Sequence, residues 1–298
     1  QRATANSLYS SGVYVGGGLA SLSVLLVSTF GWRQACFAVG GVSLVAAAVA
    51  AVTITDPSVE QRRKPTDGGP GQEIAKTEPS EQDSLAATVK EILSNPTVLV
   101  LFLACALRFC AGFGIGVWAA PFFRQTFPDN QAEYGVVNAI VVGVFGFLSS
   151  FGGGKLADTL TSRSSDKGVK AWLMAGSCFL AIPSWCLVAS SQSFSLAMAF
   201  LALEYLVAEC WFGPAIAILQ ESVPPNKRGT AQGMFSVLTT IGNIAPVAIG
   251  AAVSQGTPLR TTLLLSIPVF YGLAGLAFLG TGASLRATAG QKPPAKSE

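Results

Sequence analysis

The sequence predicts an all-α polytopic membrane protein built from two parallel six-helix halves, and three observations carry that expectation. Half of the 298 residues are apolar and 12% are charged, with a mean hydropathy of +0.51, whereas an ordinary soluble domain carries about 25% charged residues. Runs long enough to cross a bilayer core, which takes ~20 mostly apolar residues, fall at 4–27, 35–55, 97–119, 134–154, 170–190, 194–220, 230–253 and 262–283. The third observation is a repeat: RATANSLYSSGVYVG (2–16) returns as RGTAQGMFSVLTTIG (228–242), with Arg2, Thr4, Ala5, Ser10 and Gly16 matched by Arg228, Thr230, Ala231, Ser236 and Gly242.

Each run must be a helix, because hydrocarbon leaves no partner for an unpaired backbone group. The repeat copies open the first and seventh runs, so six spans separate equivalent points. Solenoid repeats have periods of ~20–50 residues, and an offset of 226 residues marks a far larger module. An even count of six returns the chain to the same side of the membrane, which makes the halves parallel. On this count the first two spans are helices five and six of one half, and the remaining six spans are a complete second half. The chain opens at Gln1 almost directly in a span, without signal-peptide architecture, so the expectation is a fragment or processed form that lacks four helices of the same protein.

Charge sets the sidedness. Fifteen Lys and Arg lie at 2, in 56–95, in 155–170, at 227–228 and in the tail, against three (Arg33, Arg124 and Arg260) on the other side. That bias places the 56–95 loop and the C-terminus in the cytosol; which membrane is left open, since no retention address or prenylation box ends the chain. The net charge of +3 requires no nucleic-acid partner. Residues 1–55 are therefore read as two spans of the first half, 56–95 as a cytosolic linker, 96–284 as the second half and 285–298 as a cytosolic tail. The stretch 56–83, rich in Pro, Gly and charge, reads as disordered. After it, Ser84 can cap a short amphipathic helix with Leu85, Val89, Ile92 and Leu93 on one face, lying on the membrane or simply continuing into the next span.

Local motifs then resemble one family. GWRQACF (31–37) is similar to the G-W-R-x-x-F signature that opens the sixth helix of many major facilitator transporters. GKLADTLTSR (154–163) resembles that superfamily's G-x-L-A-D-x-x-G-R-R loop, with Thr161 and Ser162 departing from the pattern. GVWAAPFFRQTF, FGGGKLAD, KAWLMAGSCFLAIP and VPPNKRGTAQ look most like the spinster-like branch. The resemblance covers all eight spans. It implies a major facilitator fold consisting of the last two helices of the N-terminal half and the complete C-terminal half. It also implies a small organic or amphipathic substrate, lysolipid or sphingoid-like, moved by alternating access with coupling to protons.

Three ionisable residues, Arg108, Glu204 and Glu209, remain inside spans. A charge at the bilayer centre costs roughly 2.5–3.5 kcal/mol on the insertion scale, so each is a functional candidate by default. The resemblance puts both helices that carry them on the central cavity. Arg108 and Glu209 each stand 11 residues from the cytosolic end of their runs, hence at one depth. Glu204 lies deeper and points about 140° away at 100° per residue. One reading is that Arg108 grips an anionic substrate group while a glutamate exchanges a proton, since a carboxylate in low dielectric gives up its charge readily. The other is a permanent Arg–Glu pair that pins two helices. Of the aromatics Trp118, Tyr205 and Trp211, only Trp211 is kept as a cavity residue, because membrane Trp and Tyr more often anchor or pack. Gly213-Pro214 can break that helix, and Pro183, Pro246 and Pro268 offer kinks.

Asp158 and Arg163 are assigned to a gate: Asp158 can cap the N-terminal end of the seventh span beside Arg228, or the turn can merely set topology. Gly16, Gly17, Gly18, Gly242 and Gly250 allow close helix contact, and none cradles phosphate, because none follows a strand. The six cysteines sit in apolar runs without a C-x-x-C pair, so no disulfide framework, zinc site or other cofactor is expected. With no histidine and no nucleophile–base pair, a membrane enzyme is disfavoured. The alternative to a transporter is a non-transporting fragment or regulatory remnant of one.

Overall fold

The computed structural model describes residues 2–54 and 84–290, and among them every regular element is helical. The elements are α1 (Arg2–Ser21), α2 (Ser23–Phe30), α3 (Trp32–Thr53), α4 (Leu85–Ser94), α5 (Pro96–Thr126) and α6 (Gln131–Ile140). A π-helical turn at Val141–Phe145 leads into α7 (Gly146–Arg163). Then come α8 (Val169–Ser190), α9 (Phe194–Ala208), a 3-10 turn at Glu209–Trp211, α10 (Phe212–Ser222), α11 (Arg228–Gly242), α12 (Ile244–Ser254) and α13 (Leu259–Gly290). Seven described helical stretches are long and apolar enough to cross a membrane: 32–53, 96–126, 128–163, 169–190, 194–222, 225–254 and 259–288.

Those seven follow the second to eighth sequence runs in order. The first run, expected as one span over 4–27, is α1 followed by a break at Leu22. Alone, α1 is too polar to count as a span, because its buried face carries Ser7, Ser10 and Ser11. The stretch 56–83, expected to be disordered, lies outside the described residues. The short helix after it is present as α4, whose buried positions are Thr88 and Ile92; of the expected apolar face Val89 is half-buried and Leu85 and Leu93 are exposed.

The chain divides into two compact units, 1–22 with 86–298, and 23–85. In the larger unit α13 packs along α5 and α8, α9 along α8, and α1 along α7 and α10. Without a hydrophobic drive between helices in lipid, such contacts rest on small residues and interhelical hydrogen bonds, and the seam of α1 with α6 and α7 uses both. Ser10 Oγ lies 3.3 Å from Ser150 Oγ, Ser150 Oγ donates to the Ser7 carbonyl at 3.3 Å, and Asn138 Nδ2 donates to Ser21 Oγ at 3.1 Å. A Cβ at Gly18 would stand 2.7 Å from the Ala139 carbonyl, and one at Gly154 would stand 2.3 Å from Ser7 Oγ. Gly242 meets Phe109 in the same way, whereas Gly16 has nothing within 4 Å and serves no close contact. Trp118 donates to the Pro246 carbonyl at 2.9 Å and staples α5 to α12.

Ion pairs tie the loops at one end of the bundle. Lys170 meets Glu221 at 2.6 Å, Lys227 meets Glu91 and Arg286 meets Asp166. The Asp166 carboxyl is held well below the usual carboxylate range, first by its hydrogen bond from Arg286 and then by the Gly168 amide. A carboxyl whose folded value is depressed adds stability above its unfolded range, which is lost as pH falls.

The α1–α7 seam yields a paired test. Gly154→Val should lower thermal stability by about 1–3 kcal/mol through overpacking. Gly152→Ala, where an added Cβ meets nothing within 4 Å, should leave the melting curve of the purified protein unchanged.

Candidate functional site

Pro214 decides where the site forms. It has no amide hydrogen for the carbonyl one turn earlier and its ring crowds that turn, and the helix narrows into the 3-10 turn Glu209–Trp211 just upstream. Gly213-Pro214 was expected to break this helix, and the break falls four residues before that pair. The Ala208 carbonyl at the break accepts a hydrogen bond from Arg108 Nη2 at 3.0 Å. The same nitrogen donates to Glu209 Oε1 at 2.9 Å. Arg108 is 1% exposed and Glu209 9% exposed, so the pair is buried, charge-assisted and partly satisfied by backbone.

Two tyrosines complete the cluster. Tyr14 of α1 donates to Glu209 Oε2 at 2.6 Å, and Tyr271 of α13 donates to Glu204 Oε1. The guanidinium lies 4.8 Å from the centre of the Tyr271 ring and 5.3 Å from that of Trp211, within cation–π range. Phe109 and Phe212 meet Trp211 edge-on, with centroids 5.1 and 5.4 Å away.

A cavity of about 390 Å³ opens beside this cluster, and its wall includes Tyr14, Arg108, Phe113, Tyr205, Glu209 and Trp211. Such a volume falls within the ~300–1,000 Å³ of small-molecule sites. Most of the lining is apolar, with one salt-bridged charge pair, which suits a ligand having a hydrocarbon part and a charged or strongly polar group. Among the described residues no group of His, Cys, Asp or Glu is arranged to hold a metal ion.

The structure thus brings Arg108, Glu209 and Trp211 to one cavity. Glu204 stands apart, 1% exposed, against Tyr271 rather than on the cavity wall. Tyr205, read from the sequence as a packing residue, is on the wall. Tyr14 and Tyr271 were missed; the available signal was that a tyrosine inside an apolar span needs a partner for its hydroxyl. The repeat could not flag Tyr14, whose counterpart is Thr240.

The expected gate has a different target. Asp158 accepts from the amide of Thr4 at 2.8 Å, from its hydroxyl at 2.7 Å and from the amide of Ala3 at 3.3 Å. It caps α1, which carries the first copy of the repeat, and not the helix that begins at Arg228. The reason is packing: α7 runs along α1. Arg228 instead donates through Nε to the Gln220 carbonyl at 2.8 Å, closing the α10–α11 loop, and Arg163 is exposed at the end of α7.

The Major Facilitator Superfamily model matches residues 1–246. A curated relative, an MFS-type efflux pump of Mycolicibacterium smegmatis, is 27% identical over 244 residues, 82% of this chain and 52% of the pump. The chain therefore spans about half the length of the curated relative it matches. Two solved structures share the fold, both of a bacterial homolog to the human lysosomal transporter Spinster. The inward-facing, unoccupied form has a TM-score of 0.60 at 18% identity and covers 96% of this chain and 71% of that one. The inward-facing, occupied form has a TM-score of 0.57 at 17% identity, with 96% and 70% covered.

An N-cap exchanged for alanine costs about 0.5–2 kcal/mol. Asp158→Ala should lower stability within that range, and Asp158→Asn, which keeps an acceptor oxygen, should lose less. Thermal unfolding of the two purified variants beside the parent checks this.

Proposed function

The chain belongs to the major facilitator superfamily, and we propose that it works as part of a secondary active transporter moving an amphipathic organic anion by alternating access. It is an integral multi-pass membrane protein of a transporter family, not an enzyme. The observation that carries the substrate class is Arg108 paired with Glu209 on the wall of an otherwise apolar and aromatic cavity. A solute anion competes with Glu209 for the guanidinium while its hydrocarbon part lies against Phe109, Phe113 and Trp211. Glu209 released from Arg108 is a carboxylate at bilayer depth without its cation, a costly state that uptake of a proton relieves. Proton coupling follows from that exchange, in the direction that carries anion and proton together.

The spinster-like branch suggested by the helix-boundary motifs supports lysolipid-like or sphingoid phosphate-like solutes. Asp158 on the end of α1 and Tyr14 on Glu209 both bind the first helix to the second half, and we assign them, with Arg163 and Arg228 at the same end of the bundle, to the gate that opens as the halves rock. The loops bearing Arg163, Lys167 and the C-terminus are assigned to the cytosol. A second reading keeps the Arg108–Glu209 pair as a permanent pin between α5 and the turn after α9. The Ala208 carbonyl, which fixes the arginine to the backbone, favours it.

Transport of a labelled lysolipid panel into proteoliposomes under an imposed pH gradient separates the two. Arg108→Ala should cut gradient-driven uptake at least tenfold, with Glu209→Gln impaired as well and both variants monodisperse. Normal transport by folded Arg108→Ala would make the pair a pin, and failure of every lysolipid with the parent protein would reopen the substrate class.

A further inference from the structure

Glu204 is buried in the bilayer-crossing bundle, and the cavity chemistry leaves it unused. Its Oε1 accepts from Tyr271, and its Oε2 has no hydrogen-bond partner among the described residues. The charged and titratable groups that face it are Tyr271 from α13, Arg108 from α5, Glu209 from the 3-10 turn and Tyr205 from its own helix. Cys105 and Cys178 flank the guanidinium. The cluster therefore holds two carboxyl groups and one cation. Among the described residues that cation bonds only Glu209 and the Ala208 carbonyl, and it presents its face to Tyr271.

We infer that Glu204 is a proton-binding site separate from the solute cavity, and that Glu209 is its outlet. With Arg108 on Glu209, the group is electrically neutral only if Glu204 is a carboxylic acid. An unpartnered oxygen on a neutral acid costs far less than one on a buried carboxylate. A sodium ion would need several oxygen ligands, and the described structure brings Glu204 only a tyrosine hydroxyl and its own carboxyl, so the ligand is a proton. Release is a transfer with no net change in the cluster. The Glu204 O–H bond breaks, Glu209 takes a proton as it loses the Arg108 bond, and Arg108 turns to the new carboxylate beside Tyr271. Glu209, which lines the cavity, then exchanges that proton with water. The five-residue spacing that turns Glu204 off the cavity wall makes it a store and Glu209 a port.

The inference rests on the transport reading for its purpose, but its test does not need transport. Infrared spectra of the purified protein in nanodiscs at neutral pH should contain a protonated-carboxyl C=O stretch. Glu204→Gln should abolish that band and Glu209→Gln should retain it. Tyr271→Phe should shift it, because the carboxyl loses its hydrogen-bond donor, and this variant decides the matter if Glu204→Gln fails to fold. A band that survives Glu204→Gln, no band in the parent, or a Tyr271→Phe band at an unchanged frequency each overturns the inference. Lysolipid uptake without the band would sink the proton store and leave the transport reading; the band without uptake would do the reverse.

Discussion

A charge at bilayer depth must find its partner inside the protein, and the larger compact unit is arranged around meeting that demand for Arg108. The guanidinium takes one carboxylate and one backbone carbonyl, both at the point where the helix ahead of Pro214 tightens into a 3-10 turn. A proline, a tightened turn and an ion pair thus meet at one place. The Ala208 carbonyl opens that turn, and with two lone pairs it can serve the turn and the arginine together. Without a carboxylate and a carbonyl at this depth, the guanidinium would be a buried charge in a setting where water cannot substitute.

The same logic explains why α1 is polar on its packed face. By the repeat count α1 is the fifth helix of the first half, and it meets the second half through serines, Asn6, Tyr14 and a backbone end capped by Asp158. A seam of this kind is held by many weak and separable bonds rather than by one large apolar surface; buried interhelical hydrogen bonds in membranes average about 0.6 kcal/mol each. Tyr14 places one of those bonds on Glu209, the residue that also holds Arg108. The state of the cavity and the state of the seam therefore share an atom group. That sharing is what a device coupling solute binding to movement between halves requires.

Most of the fold was legible because bilayer thickness imposes a length on apolar runs, and seven of the eight runs stand as membrane-length helices in the expected order. The first run was harder to read. Its serines and glycines pack against α7 and π-turn residues, and hydropathy is blind to a helix that trades apolarity for close contact. At the site, equal depth was enough to pair Arg108 with Glu209, since both count from span ends that charge defines. Tyr14 and Tyr271 escaped because a tyrosine in an apolar run looks like packing until its hydroxyl has a named partner. Asp158 was matched to the wrong copy of the repeat. The sequence offers two nearly identical helix starts, and only the packing of α7 on α1 chooses between them.

Glu204 and Glu209 show what the tightened turn adds. On a continuous helix, five residues would turn the two carboxyls about 140° apart, and one arginine could not serve both. Here Glu209 lies on the tighter turn and meets the guanidinium directly, while Glu204 stays on regular helix and meets Tyr271, whose ring the same guanidinium faces at 4.8 Å. One cation is thereby placed between two acids that differ in access: one on the cavity wall, one sealed in the packing. A permanent pin between helices needs a single acid and gains nothing from a second buried carboxyl lacking a cation of its own. The extra acid is a standing cost to stability, and an exchangeable proton gives it a use that a purely structural pair does not.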